Sequence, residues 1–533
     1  MTPPPDDPER PREGPSARSS GGVLGVDESL RLQSAFVTLA RVLRTVFAIA
    51  VPIVLVRVLE QQTFGQYKQI ALLSTTAVGA LGLGLPGSLY YFVPRNPRSS
   101  QSLLVRSLLV LAGVGVAAGA LVTICAPWLD RAFSAPFSEY RFVVAALVAI
   151  SVPESLVEVV AVVDRRARLA AVATGVFEAL RSALVVAVAL VTRDLTLVLV
   201  AVTFGLALRL GALLVYLAWR RGQHPGDREP GRTGAQLRYA LPFHAAALVG
   251  MARDQLHSYF VATQYTTAQY AIYAVGVTPL PFLDKITQSV AEVVVVDASK
   301  NFALGRLDEV RRVWWRGSFG IALALVPAFV ICEVFATDII TLLYGADYAA
   351  SAAVMRVYLL VLLLSIPLSS VLLRASASPR AMIAADLLSL GGAISTLFVA
   401  ATATSLGPLG AVTSMVAGLL VFHAVAGFTV ARRVGVTLRT FLPWRELAAL
   451  FGLCVAGAGV AGLATAPLPS VLRAFAGPGL AAALIGAALW RSRLLPDAER
   501  EPVGRAFRRL AARLRPPRPG RPPARAPGTS AAR

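Results

Sequence analysis

The stretch that decides the fold is SLLVLAGVGVAAGALVTICAP, residues Ser107–Pro127: twenty-one residues without a charge, whose side chains offer only two hydroxyls and a thiol. At 1.5 Å per residue, about twenty such residues cross about 30 Å of hydrocarbon. Lipid gives backbone N–H and C=O groups no partners, so the segment must satisfy them internally, as a helix. A membrane β-strand would instead show about ten residues of alternating polarity, and no such pattern occurs in the chain. Blocks of the same kind recur on either side. Over the 533 residues 56% are hydrophobic and 15% charged, where a soluble domain carries roughly 25% charged residues.

These blocks predict an all-α integral membrane protein with about 14 transmembrane helices. The expected spans are 33–57, 69–93, 103–127, 141–163, 169–192, 195–219 and 239–262, then 269–296, 316–337, 353–374, 379–404, 408–430, 445–466 and 471–490. Around them the chain divides into a disordered cytoplasmic leader (1–32), a six-helix bundle (33–219), a basic linker (220–238), a second six-helix bundle (239–435), two additional transmembrane helices (436–490) and an Arg/Pro-rich cytoplasmic tail (491–533). The leader lacks the short apolar core and small-residue cleavage site of a signal peptide. The tail's arginines suit attraction to anionic membrane lipids.

The formal charge of +21 would suggest nucleic acid in a soluble protein, but the arginines are distributed by loop. Loops after even-numbered spans hold Arg95, Arg98 and Arg106, then Arg165, Arg166 and Arg168, then Arg220, Arg221, Arg228, Arg232 and Arg238, and so on to Arg432, Arg433, Arg439 and Arg445. Loops after odd-numbered spans hold few. That alternation places both termini in the cytoplasm and the chain, as a multi-pass protein, in the inner membrane. No nucleic-acid partner is expected. External loops are short, leaving no room for a catalytic domain, so the chain is not expected to be an enzyme or to carry a cofactor. Cys125, Cys332 and Cys454 fall inside apolar blocks with neither disulfide nor metal-ligand spacing.

The sequence also echoes itself. Thr63-Phe64-Gly65-Gln66-Tyr67 matches Thr266-Thr267-Ala268-Gln269-Tyr270, and Ile150-Ser151-Val152-Pro153 matches Leu364-Ser365-Ile366-Pro367. An even number of spans separates each pair, so the two bundles share an orientation: a parallel pseudo-twofold repeat about an axis along the membrane normal.

Val56-Arg57-Val58-Leu59-Glu60-Gln61-Gln62-Thr63-Phe64-Gly65-Gln66-Tyr67 resembles a turn of the polysaccharide biosynthesis proteins, the oligosaccharide-lipid flippases of the multidrug/oligosaccharidyl-lipid/polysaccharide (MOP) exporter superfamily. Leu81-Gly82-Leu83-Gly84-Leu85-Pro86 with Tyr90-Tyr91-Phe92 is similar to that family's second span, and Leu237-Arg238-Tyr239-Ala240-Leu241-Pro242-Phe243 to the start of its seventh. The resemblance covers roughly residues 30–435. It implies two bundles that alternate access, moving an undecaprenyl-diphosphate-linked oligosaccharide from the inner to the outer leaflet for surface polysaccharide. It further implies membrane lipids, a coupling proton or sodium ion and polysaccharide assembly proteins as partners. A drug/cation antiporter of the same superfamily and a membrane glycosyltransferase or polymerase are the alternatives.

Charges inside spans cost about 2.5–3.5 kcal/mol each at mid-helix, so they mark candidate sites. Arg41 and Arg44, three apart on one helix face, suit a diphosphate, because guanidinium forks bind phosphate oxygens bidentately. Alternatively they pair with Glu154 and Glu158, four apart on span four. Arg209 and Arg253 are single mid-depth arginines, expected to face the substrate path from one bundle each. Glu178 and Arg181 are expected to pair with each other. Asp254 is a candidate coupling site or a counter-charge to Arg253 or Lys285. Asp284, following Pro279 and Pro281, sits where freed carbonyls suit an ion site or a simple kink. Glu154 and Glu158 complete the ion-coupling candidates.

The topology has a direct test. Cysteines introduced near Gln62, Ser134 and Ala346 are expected to react with an impermeant thiol reagent in intact cells, and those near Gly222, Gly305 and Gly435 to stay unlabelled. A reversal at any of the six contradicts the span order.

Overall fold

The computed structural model describes residues 46–47, 50–164, 167–223, 233–278, 281–376, 379–402, 407–437, 440, 442–492 and 494. The leader, most of the tail, and Arg41 and Arg44 lie outside the described residues. Among the described residues every regular element is helical. Eleven helices are long and apolar enough to cross a membrane, and they coincide with eleven of the expected spans. Of the other three, the first is described as helix over 50–58. The seventh is Thr233–Gln264, long enough but made polar by Arg238, His244, Arg253, Asp254 and His257. The eighth is interrupted between Thr267–Gly276 and Pro281–Ala303, because Pro281 has no N–H to continue the ladder.

Three further spans are broken within the membrane. Phe137–Glu154 gives way to Leu156–Val163 just after Pro153, and Ser351–Ser365 to Ser369–Ala375 around Pro367. These are the two prolines of the sequence echo. The second span breaks between Gln61–Leu81 and Leu85–Arg95. At two of the breaks a leucine, Leu83 or Leu368, takes a left-handed φ of 51°, a conformation that costs an L-residue with a Cβ roughly 1–2 kcal/mol.

The described contacts group into two compact units. The first comprises residues 1–282, 343–354 and 386–418. Its tightest helix pair is Ser100–Ala132 against Phe137–Glu154. At Gly115 a Cβ would stand 2.5 Å from the Ala149 carbonyl oxygen, so only glycine lets the backbones meet. Small residues at such contacts are how helices pack in lipid, where burial of apolar surface gives no driving force. Leu85, Leu89, Leu103, Leu104, Leu111 and Val152 form the buried core beside this pair.

The second span also runs antiparallel along Thr233–Gln264 in a seam sealed by buried polar bonds. At one end Gln69, fully buried, donates to Ser134 Oγ at 3.0 Å and to the Ala262 carbonyl at 3.2 Å, and accepts from the Ala135 N–H at 3.0 Å. Midway, the Met251 sulfur packs on Gly79 and His244 Nε2 meets the Ala80 carbonyl at 2.9 Å. At the other end the buried Gln236 donates to Ser88 and Ser107 at 2.9 and 3.0 Å. Beyond the first of these ends the two echoed motifs touch: Gly65 lies against the backbone of Thr267, whose carbonyl oxygen would stand 1.9 Å from a Cβ at Gly65. Thr266 and Gln269 close a reciprocal capping box on the second motif's helix, satisfying two otherwise orphaned donors.

The second unit comprises 283–342, 355–385 and 419–533. Leu307–Val334 is its central helix. It carries the C-terminal pair Trp444–Thr465 and Ser470–Arg491, with Gly477 against the Phe335 ring and Arg473 paired to Asp338 at 3.4 Å. Trp314, buried in that helix, donates its indole N–H to the Pro367 carbonyl at 2.6 Å, capping a group that the break exposes.

Gly65→Ala drives a methyl into a backbone that cannot yield, a strain of about 1–3 kcal/mol or more. The purified protein is expected to melt several degrees lower, whereas Gly113→Ala, with nothing within 4 Å, leaves Tm unchanged. Equal melting of Gly65→Ala and the parent contradicts the close approach.

Candidate functional site

Two charge clusters lie inside the first unit. Pro153 ends the Phe137–Glu154 helix, and the turn at Ser155 separates Glu154 from Glu158 in Leu156–Val163. Arg209, mid-way along Leu195–Gln223, reaches both: its Nη1 lies 2.7 Å from Glu154 and its Nη2 3.3 Å from Glu158. The Arg209 and Glu154 side chains are each 13% exposed, and Glu158 is half exposed. Arg181 pairs with Glu178 on the neighbouring helix, one turn apart. A cavity of about 420 Å³ opens beside these groups, its polar lining including Tyr67, Ser151, Glu154, Ser155 and Arg181.

The second cluster centres on Arg253 of Thr233–Gln264. Its Nε donates to Asp254 at 2.8 Å, and its Nη1 to Asp386 at 3.1 Å and Ser389 at 3.3 Å. Asp254 is half exposed, while the side chains of Arg253 and Asp386 are 10% and 15% exposed. In each cluster one guanidinium meets two carboxylates. Such pairs offset the cost of burying charge only when both partners stay in place.

The structure thus joins Arg209 to Glu154 and Glu158, and Arg253 to Asp254. Arg41 and Arg44 lie outside the described residues, as does the side chain of Asp284, whose backbone belongs to Pro281–Ala303. Asp386 was not among the candidates read from the sequence, although a lone acid in the middle of a span was the signal. Sequence reasoning missed the Arg220 cluster altogether. There Arg220 donates to Asp164 at 2.9 Å, Gln101 at 2.7 Å and Ser100 at 2.9 Å, and Tyr216 donates to Asp164 at 2.7 Å. Those residues sit at span ends, where polar side chains carry no hydropathy signal.

Arg209→Gln strands Glu154 without its counter-charge, at about 3–5 kcal/mol. The variant is expected to accumulate poorly in membranes, and Arg209→Gln with Glu154→Gln to recover much of the level. Equal levels of single and double variants contradict the pairing.

Residues 32–296 match the family described as polysaccharide biosynthesis protein. No curated protein sequence matches the chain. Among solved structures, the lipid II flippase MurJ in an inward closed conformation superposes with a TM-score of 0.63 at 10% identity, covering 86% of this chain and 99% of that one. An inward-facing multidrug resistance MATE transporter of the MOP superfamily gives 0.55 at 13% identity over 74% and 94% of the two chains. An outward-facing one gives 0.51 at 16% over 76% and 95%. At these identities the likeness is one of fold, and the eleven apolar helices agree with it. Residues 32–296 thus resemble the polysaccharide biosynthesis protein family, and the chain has the fold seen in the lipid II flippase MurJ and in MATE transporters.

Proposed function

We propose that this chain is a transporter that flips an oligosaccharide linked to undecaprenyl diphosphate from the inner to the outer leaflet of the cytoplasmic membrane by alternating access, for cell-surface polysaccharide biosynthesis. The observation that carries the reading is the family match over 32–296. The basic residues inside the spans support an anionic cargo. Arg209 and Arg253 are each held by two carboxylates, and we assign the first contact to Arg41 and Arg44, three apart in the sequence and so on one helix face. Arg209 and Arg253 join the path when the diphosphate displaces a carboxylate. Each cluster carries one negative charge in excess, which suits a coupling proton or sodium ion at Glu154 and Glu158, at Asp254, or beside the helix interruption near Asp284. Polysaccharide assembly proteins are the partners such a cargo requires.

The test is made in cells whose own copy is deleted and replaced. Arg41→Lys and Arg44→Lys keep the charge but lose the fork, so each is expected to lower translocation roughly tenfold at unchanged protein level. Full translocation in both variants overturns the diphosphate assignment. Undiminished translocation in the deletion strain overturns the function.

A further inference from the structure

The seam between the second span and Thr233–Gln264 carries a fully buried amide at each end. Gln69 uses all of its amide: Nε2 donates to Ser134 Oγ at 3.0 Å and to the Ala262 carbonyl at 3.2 Å, and Oε1 accepts from the Ala135 N–H at 3.0 Å. Ser134 extends the link by donating to the Tyr265 carbonyl at 2.9 Å. At the opposite end Gln236 Nε2 donates to Ser88 at 2.9 Å and to Ser107 at 3.0 Å. All of these residues lie in the first unit. Between the two amides the second span is not one helix. Gln61–Leu81 holds Gln69 and Leu85–Arg95 holds Ser88, and in the break that joins them Leu83 and Gly84 take left-handed φ of 51° and 67°. The break rests on the facing helix, where a Cβ at Gly84 would stand 2.9 Å from the Ala240 carbonyl oxygen.

We infer that Gln69 and Gln236 are the latches of two opposed gates, with the break at Gly82–Gly84 as the hinge that lets one part while the other holds, an inference that rests on the alternating access proposed above and not on the cargo. A leucine would fill either position, but it would turn apolar surface to water whenever the seam parted. A buried amide behaves in the opposite way. Left unpaired in a dry seam it costs its full desolvation penalty, whereas water satisfies it as soon as the seam opens. It therefore holds the closed state and tolerates the open one. Apolar contact adds little between helices in lipid, so these few bonds weigh heavily in the balance. Water is close to both ends, for Ser134 is exposed, as is Tyr239 one turn from Gln236. In a continuous helix a parting at one end pries at the other, and the break confines it. The arginine pattern of the loops assigns the Gln236 gate to the cytoplasm and the Gln69 gate to the outside.

The test places one cysteine at each end of the same helix, Ala262→Cys beside Gln69 and Ala240→Cys one turn from Gln236, where the alanines are 0% and 3% exposed. The full chain in nanodiscs is treated with a charged methanethiosulfonate, which reacts with thiols that water reaches, and labelling rates are read site by site by mass spectrometry. Gln69→Ala is expected to speed labelling at residue 262 roughly three- to tenfold and to leave residue 240 within about twofold. Gln236→Ala is expected to do the reverse. Ser134→Ala and Ser88→Ala each remove one partner of a latch and give the same selectivity at roughly two- to threefold. The native Cys454, fully buried in the second unit, stays unlabelled in a folded chain, and the serine variants carry the comparison where a glutamine variant loses that protection. Faster labelling at both positions in a folded variant, or at neither, overturns the latches. End-selective labelling in a protein that flips no lipid-linked sugar supports them and overturns only the cargo proposed above.

Discussion

The seam that positions Arg253 in the first unit starts from one close approach, the backbone of Gly65 laid against that of Thr267. Lipid tails are as apolar as leucine, so two helices in a membrane gain little by hiding apolar surface from each other. What holds them is contact distance and buried hydrogen bonds. The missing Cβ at Gly65 supplies the first, and Gln69, bonded to three partners a turn along the helix, the second. From there the seam fixes the rotation of Thr233–Gln264 about its axis. That rotation decides where Arg253 points and hence that Asp386 and Ser389 become its partners.

The charge clusters follow from the same solvent. A guanidinium in hydrocarbon cannot shed its charge, so it must find acids. Arg209 finds them at a helix break, where Glu154 and Glu158 project from two short helices rather than one. The two echoed prolines produce breaks with different contents. Around Pro367 a buried tryptophan caps the freed carbonyl, which locks the break with a neutral group. After Pro153 the neighbours are titratable side chains and a cavity adjoins them. One break is thus closed by a neutral hydrogen bond, and the other is bordered by an ion pair and a cavity.

Much of this was legible in the sequence, and the limits were physical. Helices such as Ser100–Ala132 and Gly407–Val434 announce themselves because lipid dictates their length and composition. Arg253 beside Asp254 was readable because neighbours in sequence need no fold to meet. The partnership of Arg209 with Glu154 and Glu158, 55 and 51 residues away, required knowing which helix faces which, and apolar periodicity says little about that when lipid and protein interior are equally apolar. The left-handed Leu83 and Leu368 were hidden for a different reason: leucine, unlike glycine or asparagine, gives no local signal for that conformation. The echo of Thr63–Tyr67 and Thr266–Tyr270 was visible as a repeat, but that the two copies touch was not.

The central claim is that the protein moves a lipid-linked oligosaccharide across the membrane, and reconstitution tests it most directly. Purified protein in liposomes that contain an undecaprenyl-diphosphate oligosaccharide with a fluorescent sugar is exposed to an impermeant reductant that quenches only the outer leaflet. The account predicts that quenching runs to completion in protein-containing vesicles, while protein-free vesicles keep their inner-leaflet fluorescence. An inner-leaflet pool that survives equally in both, with protein shown to be folded and inserted, would contradict it.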